Sequence, residues 1–279
     1  MNAKSLKPMS FEENKNVQLS ILKDVAAFCE KNNLEYFLAY GTLIGAVRHE
    51  GYIPWDDDID IQMPRDSYDK FIELYAKECE ANGSVYRLIT PYDACAKHTM
   101  LKVIDSRTVK IESGIRYDSE YLGIDIDVFP IDGMPSNKLL FHVWYQLLYV
   151  AYSFAHLKNL DYQSGRLKRR FWGTLMSVLP IKRSWILNFA GFIHSLCPIS
   201  TSNYVGSMEM PFNSKKNRVP KRIFSGFIMK KFEDAMFRCP SDYDFILTSL
   251  YGDYMKLPPL EKQVTHHTNN VFWKEDYEI

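Results

Sequence analysis

Trp55-Asp56-Asp57-Asp58-Ile59-Asp60-Ile61 sets four carboxylates in five positions inside an otherwise apolar, strand-like stretch. Like charges so close repel unless a cation or basic groups neutralise them, and Trp55, Ile59 and Ile61 argue against a solvated acidic turn. In an extended chain alternate side chains share a face, so Asp56, Asp58 and Asp60 project one way and Asp57, Ile59 and Ile61 the other. Carboxylates two apart on a strand suit the paired divalent ions of phosphoryl transfer, and hard oxygen ligands point to Mg²⁺ or Mn²⁺. An EF-hand would need Gly at the sixth loop position and Glu at the twelfth, where Ile61 and Ser67 stand. Such a site calls for a further carboxylate from a neighbouring strand. The run Ile124-Asp125-Ile126-Asp127-Val128-Phe129 offers Asp127, with Asp125 on the same face in reserve.

Upstream, Ser10 and Glu13 form a capping-box pattern, and Val17, Ile21, Val25 and Cys29 recur every four residues, which predicts a helix from Phe11 to Lys31. Leu34 to Tyr40 reads as a core strand, and Gly41-Thr42 as a turn into a short helix over Leu43 to Arg48. Backbone N–H groups at such a turn hold phosphate oxygens. The segment lacks the spacing and the lysine of a P-loop. Downstream, Pro64 and Asp66 open a second long helix that Asn82-Gly83 closes. Strands are expected at Val85 to Ile89, Met100 to Ile104 and Ile124 to Phe129, and a helix follows Ser241-Asp242 as far as Gly252. Strands and helices mix without βαβ regularity, so the fold class is α+β.

Three segments follow from composition: a catalytic core over 1–137, a helical insertion over 138–202, and a segment over 203–279 that returns to the core. The polar, basic stretch from Asn203 to Arg222 reads as a loop. The insertion is apolar and aromatic from Leu139 to Leu157, Phe171 to Leu179 and Trp185 to Pro198, with Arg166, Lys168, Arg169 and Arg170 between the first two. Polar residues interrupt its first stretch, so it falls short of a membrane span. Packing on the core is its expected role, and interfacial contact with a membrane is the rival.

The 279 residues balance 34 Lys and Arg against 34 Asp and Glu, so no overall field favours nucleic acid. Five cysteines without a CxxC pair disfavour a disulfide framework or a zinc site and fit a reducing cytosol. The polar start, MNAKSLKPMSFEENKN, lacks an apolar signal region, which predicts a cytoplasmic protein. His266-His267 lacks HExxH spacing, so zinc is not expected there either.

The motifs GTLIGAVRHEGYIPWDDDIDI, GIDIDVFPID and YGDYMKLPP resemble the LicD family of phosphocholine transferases, to which fukutin-related proteins are distantly similar. The resemblance implies a nucleotidyltransferase-like mixed sheet with helices. It also implies Mg²⁺-dependent transfer of phosphocholine from CDP-choline to a sugar hydroxyl of a lipid-linked or polymeric cell-surface glycan, at the inner face of the membrane if the acceptor is lipid-linked. Position by position it makes Asp58 and Asp60 the metal pair, Asp56 an additional ligand and Asp127 the partner from the second strand. It places Arg48 against phosphate and His49 beside the substrate or bracing the loop. Thr42 follows Gly41 in the phosphate turn, Lys102 and Arg65 are cationic candidates for the diphosphate, and Tyr40, Tyr52 and Trp55 are candidates for choline contact. The alternatives are transfer of another phospho-alditol or a nucleotidyl group on the same fold, and a non-catalytic membrane-surface module.

Overall fold

The acidic run feeds β3 (Asp60–Pro64), and β3 pairs in parallel with β7 (Ile124–Met134), so that Asp60 stands opposite Asp127. The computed structural model describes residues 6–93, 95–96, 98–112, 122–157, 180–208, 216–265 and 269–274. Around this pair lies a mixed sheet in the order β2-β3-β7-β5-β4, formed with β2 (Phe37–Leu38), β4 (Tyr86–Ile89) and β5 (Leu101–Asp105). Among the described strands of this sheet β3 and β7 run parallel, and the pairings β2–β3, β7–β5 and β5–β4 are antiparallel. Both central strands are almost wholly buried beneath the helices, although Asp60 and Gln62 on β3 and Asp125, Asp127 and Asp132 on β7 interrupt their apolar residues. The core gathers Val25 and Phe28 of α1 (Phe11–Lys31), Phe71 and Tyr75 of α3 (Arg65–Ala81), and Ile61, Val103 and Val128 of the sheet.

Helix α1 starts and stops where local chemistry directs. The Ser10 hydroxyl accepts from Glu13 N–H at 3.1 Å, and the Glu13 carboxylate accepts from Ser10 N–H at 2.7 Å. The expected strand from Leu34 to Tyr40 shrinks to β2, because Tyr40 takes a positive φ of 44° and opens helix α2 (Tyr40–Arg48). Gly41 therefore lies in the first turn of α2 rather than ahead of it. The acidic run is likewise loop rather than strand up to Ile59, although Asp56, Asp58 and Asp60 still share a cavity from which Asp57 is excluded; Ile59, expected on the face of Asp57, lines that cavity too.

Residues 203–222, expected as loop, instead hold β8 (Tyr204–Gly206), which pairs antiparallel with the end of β7, then β9 (Val219–Pro220) and the start of a 3-10 turn. Two further groupings join residues remote in sequence. A small sheet combines β1 (Leu6–Pro8), β12 (Asn269–Lys274) and β6 (Thr108–Glu112), and a hairpin joins β10 (Phe227–Phe232) to β11 (Ala235–Pro240). Helix α6 (Tyr243–Tyr251) ends at Gly252, whose φ of 72° suits a glycine.

In the insertion, α4 (Lys138–Leu157) and α5 (Arg183–Ser195) pack on each other around Trp144, Leu148, Leu187 and Ala190 and reach the sheet at Met134. The basic run 166–170, the apolar stretch 171–179 and His266-His267 lie outside the described residues. The five cysteines are free thiols.

Candidate active site

The sheet register builds the site. Asp60 on β3, Asp127 on β7 and Lys102 on β5 occupy one row across three adjacent strands, since Asp127 is the register partner of both Asp60 and Lys102. Strands about 4.8 Å apart place these side chains side by side, and all three line a cavity of about 470 Å³. Asp56 and Asp58 reach the same cavity from the preceding loop, whereas Asp57 is buried away from it. The Asp57 carbonyl accepts from Gln18 Nε2 at 2.9 Å, which ties the acidic loop to α1. Gln18 also reaches the Asp125 carbonyl, at 3.3 Å, so one buried amide holds both acidic segments in place.

Two bonds fix Asp60. Its N–H donates to the Thr42 hydroxyl at 2.9 Å, and its carbonyl accepts from Ala39 N–H at 3.0 Å. Thr42 thus acts on the backbone of the acidic strand and does not line the cavity. The Gly41 Cα faces Asp56, where a Cβ would sit 2.6 Å from Oδ2. The glycine is needed for that carboxylate to approach α2. Replacing Gly41 with Ala is therefore expected to improve helix propensity yet displace Asp56, lowering turnover by about 10²-fold with no fall in melting temperature. Unchanged turnover would show that Asp56 has no part in the chemistry.

Charges in the cavity are unevenly compensated. Burial, and then the charge of Asp58, push Asp56 up to about 7. Burial and the charges of Asp58, Asp127 and Asp56 raise Asp60 well above the carboxylate range, against the pull of Lys102. Asp125 behaves oppositely. Burial would raise it, but Lys102 and Lys110, both bonded to its carboxylate, hold it well below its ordinary value. A carboxylate so stabilised as an anion is a poor proton acceptor, which weighs against Asp125 as a general base.

Five aspartates, Asp56, Asp58, Asp60, Asp125 and Asp127, therefore share the cavity with Lys102, Lys110 and Lys216; Lys102 and Lys110 are taken up by Asp125, and Lys102 also donates to Asp127, at 2.5 Å. Among the described residues no three or more His, Cys, Asp or Glu side chains stand close enough together to hold a metal ion as they are placed. The donor chemistry nonetheless fits a hard divalent cation. It is all oxygen, partly open to the cavity, and carries repulsion that a cation relieves.

The remaining residues singled out from sequence divide into two groups. Tyr40, Gly41, Trp55 and Lys102 line the cavity with the carboxylates. The Tyr40 hydroxyl accepts from Gln62 Nε2 at 3.1 Å and Asn217 Nδ2 at 3.3 Å, which holds its ring despite the strained backbone. Tyr52 is buried outside the cavity, its hydroxyl donating to the Lys15 carbonyl and Gln18 Oε1. Arg48 donates to the Tyr254 carbonyl, and His49 forms the C-cap of α2 beside it. Arg65 forks onto Asp132 in a separate cavity of about 720 Å³.

Several lining residues carried no sequence signal of their own. Tyr251, at the end of α6, is half exposed, and burial together with the charges of Asp60, Asp56 and Asp58 raises its hydroxyl. Lys216 and Asn217 arrive from the segment before β9, and His98 and Met100 from the segment before β5. Tyr251 lies within the YGDYMKLPP motif, so only that resemblance pointed near it.

Residues 33–149 match the model of a family described as the LicD/FKTN/FKRP nucleotidyltransferase domain. The whole chain is similar to the lipopolysaccharide cholinephosphotransferase LicD of Haemophilus influenzae, with 33% identity over 277 residues, covering 96% of this chain and 99% of that protein. Shorter matches link it to uncharacterized proteins of Rickettsia typhi, at 30% identity over 48% of this chain and 40% of that protein, and Rickettsia prowazekii, at 35% over 28% and 29%.

Proposed function

Since the chain belongs to the LicD family, we propose that it transfers phosphocholine from CDP-choline to a sugar hydroxyl of a lipopolysaccharide-type glycan, using a divalent cation held by Asp56, Asp58, Asp60 and Asp127. The observation that carries this reading is the row of Asp60 and Asp127 on paired strands, in a chain similar along its full length to a cholinephosphotransferase. A bound Mg²⁺ or Mn²⁺ would neutralise charge on the diphosphate as the bond to CMP breaks.

The chain's own groups supply the rest. Lys102, fixed between Asp125 and Asp127, adds a positive charge at the cavity wall without being free to wander. Tyr40, Trp55 and Tyr251 offer aromatic faces to the quaternary ammonium, each contact worth about 0.5–2 kcal/mol. Truncating Trp55 or Tyr251 to Ala is expected to weaken apparent donor affinity by roughly tenfold with a smaller change in kcat. An unchanged KM in both variants would remove these rings from the choline site.

Donor identity is tested by incubating the purified protein with CDP-choline, CDP-glycerol, CDP-ribitol and nucleoside triphosphates, each with an acceptor glycan. CMP release from CDP-choline alone is the expected result. CMP from another CDP-alditol would change the donor, and pyrophosphate release would replace the reaction with nucleotidyl transfer.

A further inference from the structure

The paired insertion helices leave an apolar face exposed among the described residues. On α4, Leu140, Val143 and Leu147 are 62%, 50% and 41% exposed, and on α5, Trp185, Phe189 and Phe192 are 59%, 45% and 59% exposed. Each set follows helical spacing, so each forms one stripe, and the opposite stripes are the ones buried in the α4–α5 core. Between them runs an apolar groove of about 610 Å³. Neither helix contains Asp or Glu, and none of the described helices is long and apolar enough to cross a membrane.

Charge identifies what covers this face. In a chain of zero net charge, residues 138–202 carry eight Lys and Arg against the single acid Asp161. Exposed Lys138 begins α4 and exposed Lys182 precedes α5, whereas the Arg183 guanidinium is turned inward onto the Pro91 and His98 carbonyls. A protein partner of ordinary composition would not call for this bias together with so many exposed aromatic and branched side chains. Apolar helix faces edged by basic residues match the interface of an anionic bilayer, where rings enter the acyl boundary and cations meet headgroup phosphates.

We propose that α4 and α5 dock the protein on the surface of a membrane containing anionic phospholipid, lying in the interface rather than spanning it. This docking is independent of which donor the catalytic cavity takes. It would bring the enzyme to the surface from which a lipid-anchored glycan acceptor projects.

The test is flotation of the full chain with phosphatidylcholine vesicles with and without about one quarter phosphatidylglycerol, at low and high salt. Leu140→Glu/Phe189→Glu is compared with wild type, and Trp185→Ser/Phe192→Ser serves as a milder second variant if the first fails to fold. Wild type is expected to float with anionic vesicles, less so at high salt, and both variants to lose about tenfold or more of the bound fraction while keeping CMP release with a water-soluble acceptor. Wild type that stays with the lipid-free fraction, or variants that float equally well, would overturn the proposal. So would sedimentation showing a wild-type dimer that the variants dissolve, since a second copy would then occupy the face.

Discussion

Asp60→Asn is expected to abolish measurable transfer, lowering kcat by about 10³-fold or more, while raising the melting temperature of the metal-free protein. Both effects come from the same side chain. Asp60 sits in register with Asp127, near Asp56 and Asp58, and burial with those three charges pushes its carboxyl well above the ordinary range. Replacing it with a neutral isostere removes a repulsive charge from the folded state. One pKa unit corresponds to about 1.4 kcal/mol, so a gain of about 1 kcal/mol, or 2–4 °C, is the modest expectation. In the proposed mechanism the same substitution would take one oxygen ligand from a site that must stabilise several kcal/mol of developing charge.

Cation addition separates these effects without reference to turnover. Mg²⁺ or Mn²⁺ at about a hundred times its dissociation constant should stabilise wild type by about 2.7 kcal/mol and Asp60→Asn far less. Calorimetry in chelator and in excess metal provides the four melting temperatures. If Asp60→Asn melts lower than wild type in chelator, the carboxylates are not the repelling cluster described here. If metal shifts both proteins equally, it binds elsewhere.

Much of this site was legible because the decisive pattern is local. Alternation along residues 56–61 separates Asp56, Asp58 and Asp60 from Asp57 without knowledge of the fold, and the structure keeps that division although strand β3 begins only at Asp60. The caps of α1 and the end of α6 were equally readable, since Ser10, Glu13 and Gly252 act within a few residues. What escaped reading depends on pairing at long range. Strand β12 joins β1 and β6 from the far end of the chain, and β8 pairs with the end of β7 from some seventy residues away. Gln18 looks like any polar residue in a helix until the fold brings it under Asp57 and Asp125. Arg65 illustrates the converse. A cation just past the acidic strand suggests phosphate, yet the direction in which α3 leaves β3 carries it to Asp132 instead.

That contact carries the other large expected effect. Asp132→Ala should lower stability by about 3–5 kcal/mol, because it leaves Arg65 and His194 facing an emptied buried position. The Asp132 side chain is almost fully buried and accepts from Arg65 Nε and Nη2, both at 2.7 Å. His194 Nδ1 on α5 lies 3.1 Å from the same carboxylate, without hydrogen-bond alignment, and its Nε2 is 3.0 Å from the Tyr152 hydroxyl on α4. Burial opposes ionisation of Asp132, but His194 and Arg65 hold it below the usual carboxylate range, while burial keeps His194 below its own ordinary value. One carboxylate on β7 therefore joins α3, α4 and α5, five residues beyond Asp127 on the same strand. Asp132→Asn, which retains an oxygen for Arg65, should lose less than half as much stability. Urea unfolding gives the magnitudes, and amide exchange gives the location, with α4 and α5 expected to lose protection ahead of β3 and β5. A loss under about 1 kcal/mol, or protection lost evenly across the sheet, would mean that apolar packing around Trp144 and Leu187 alone attaches the insertion.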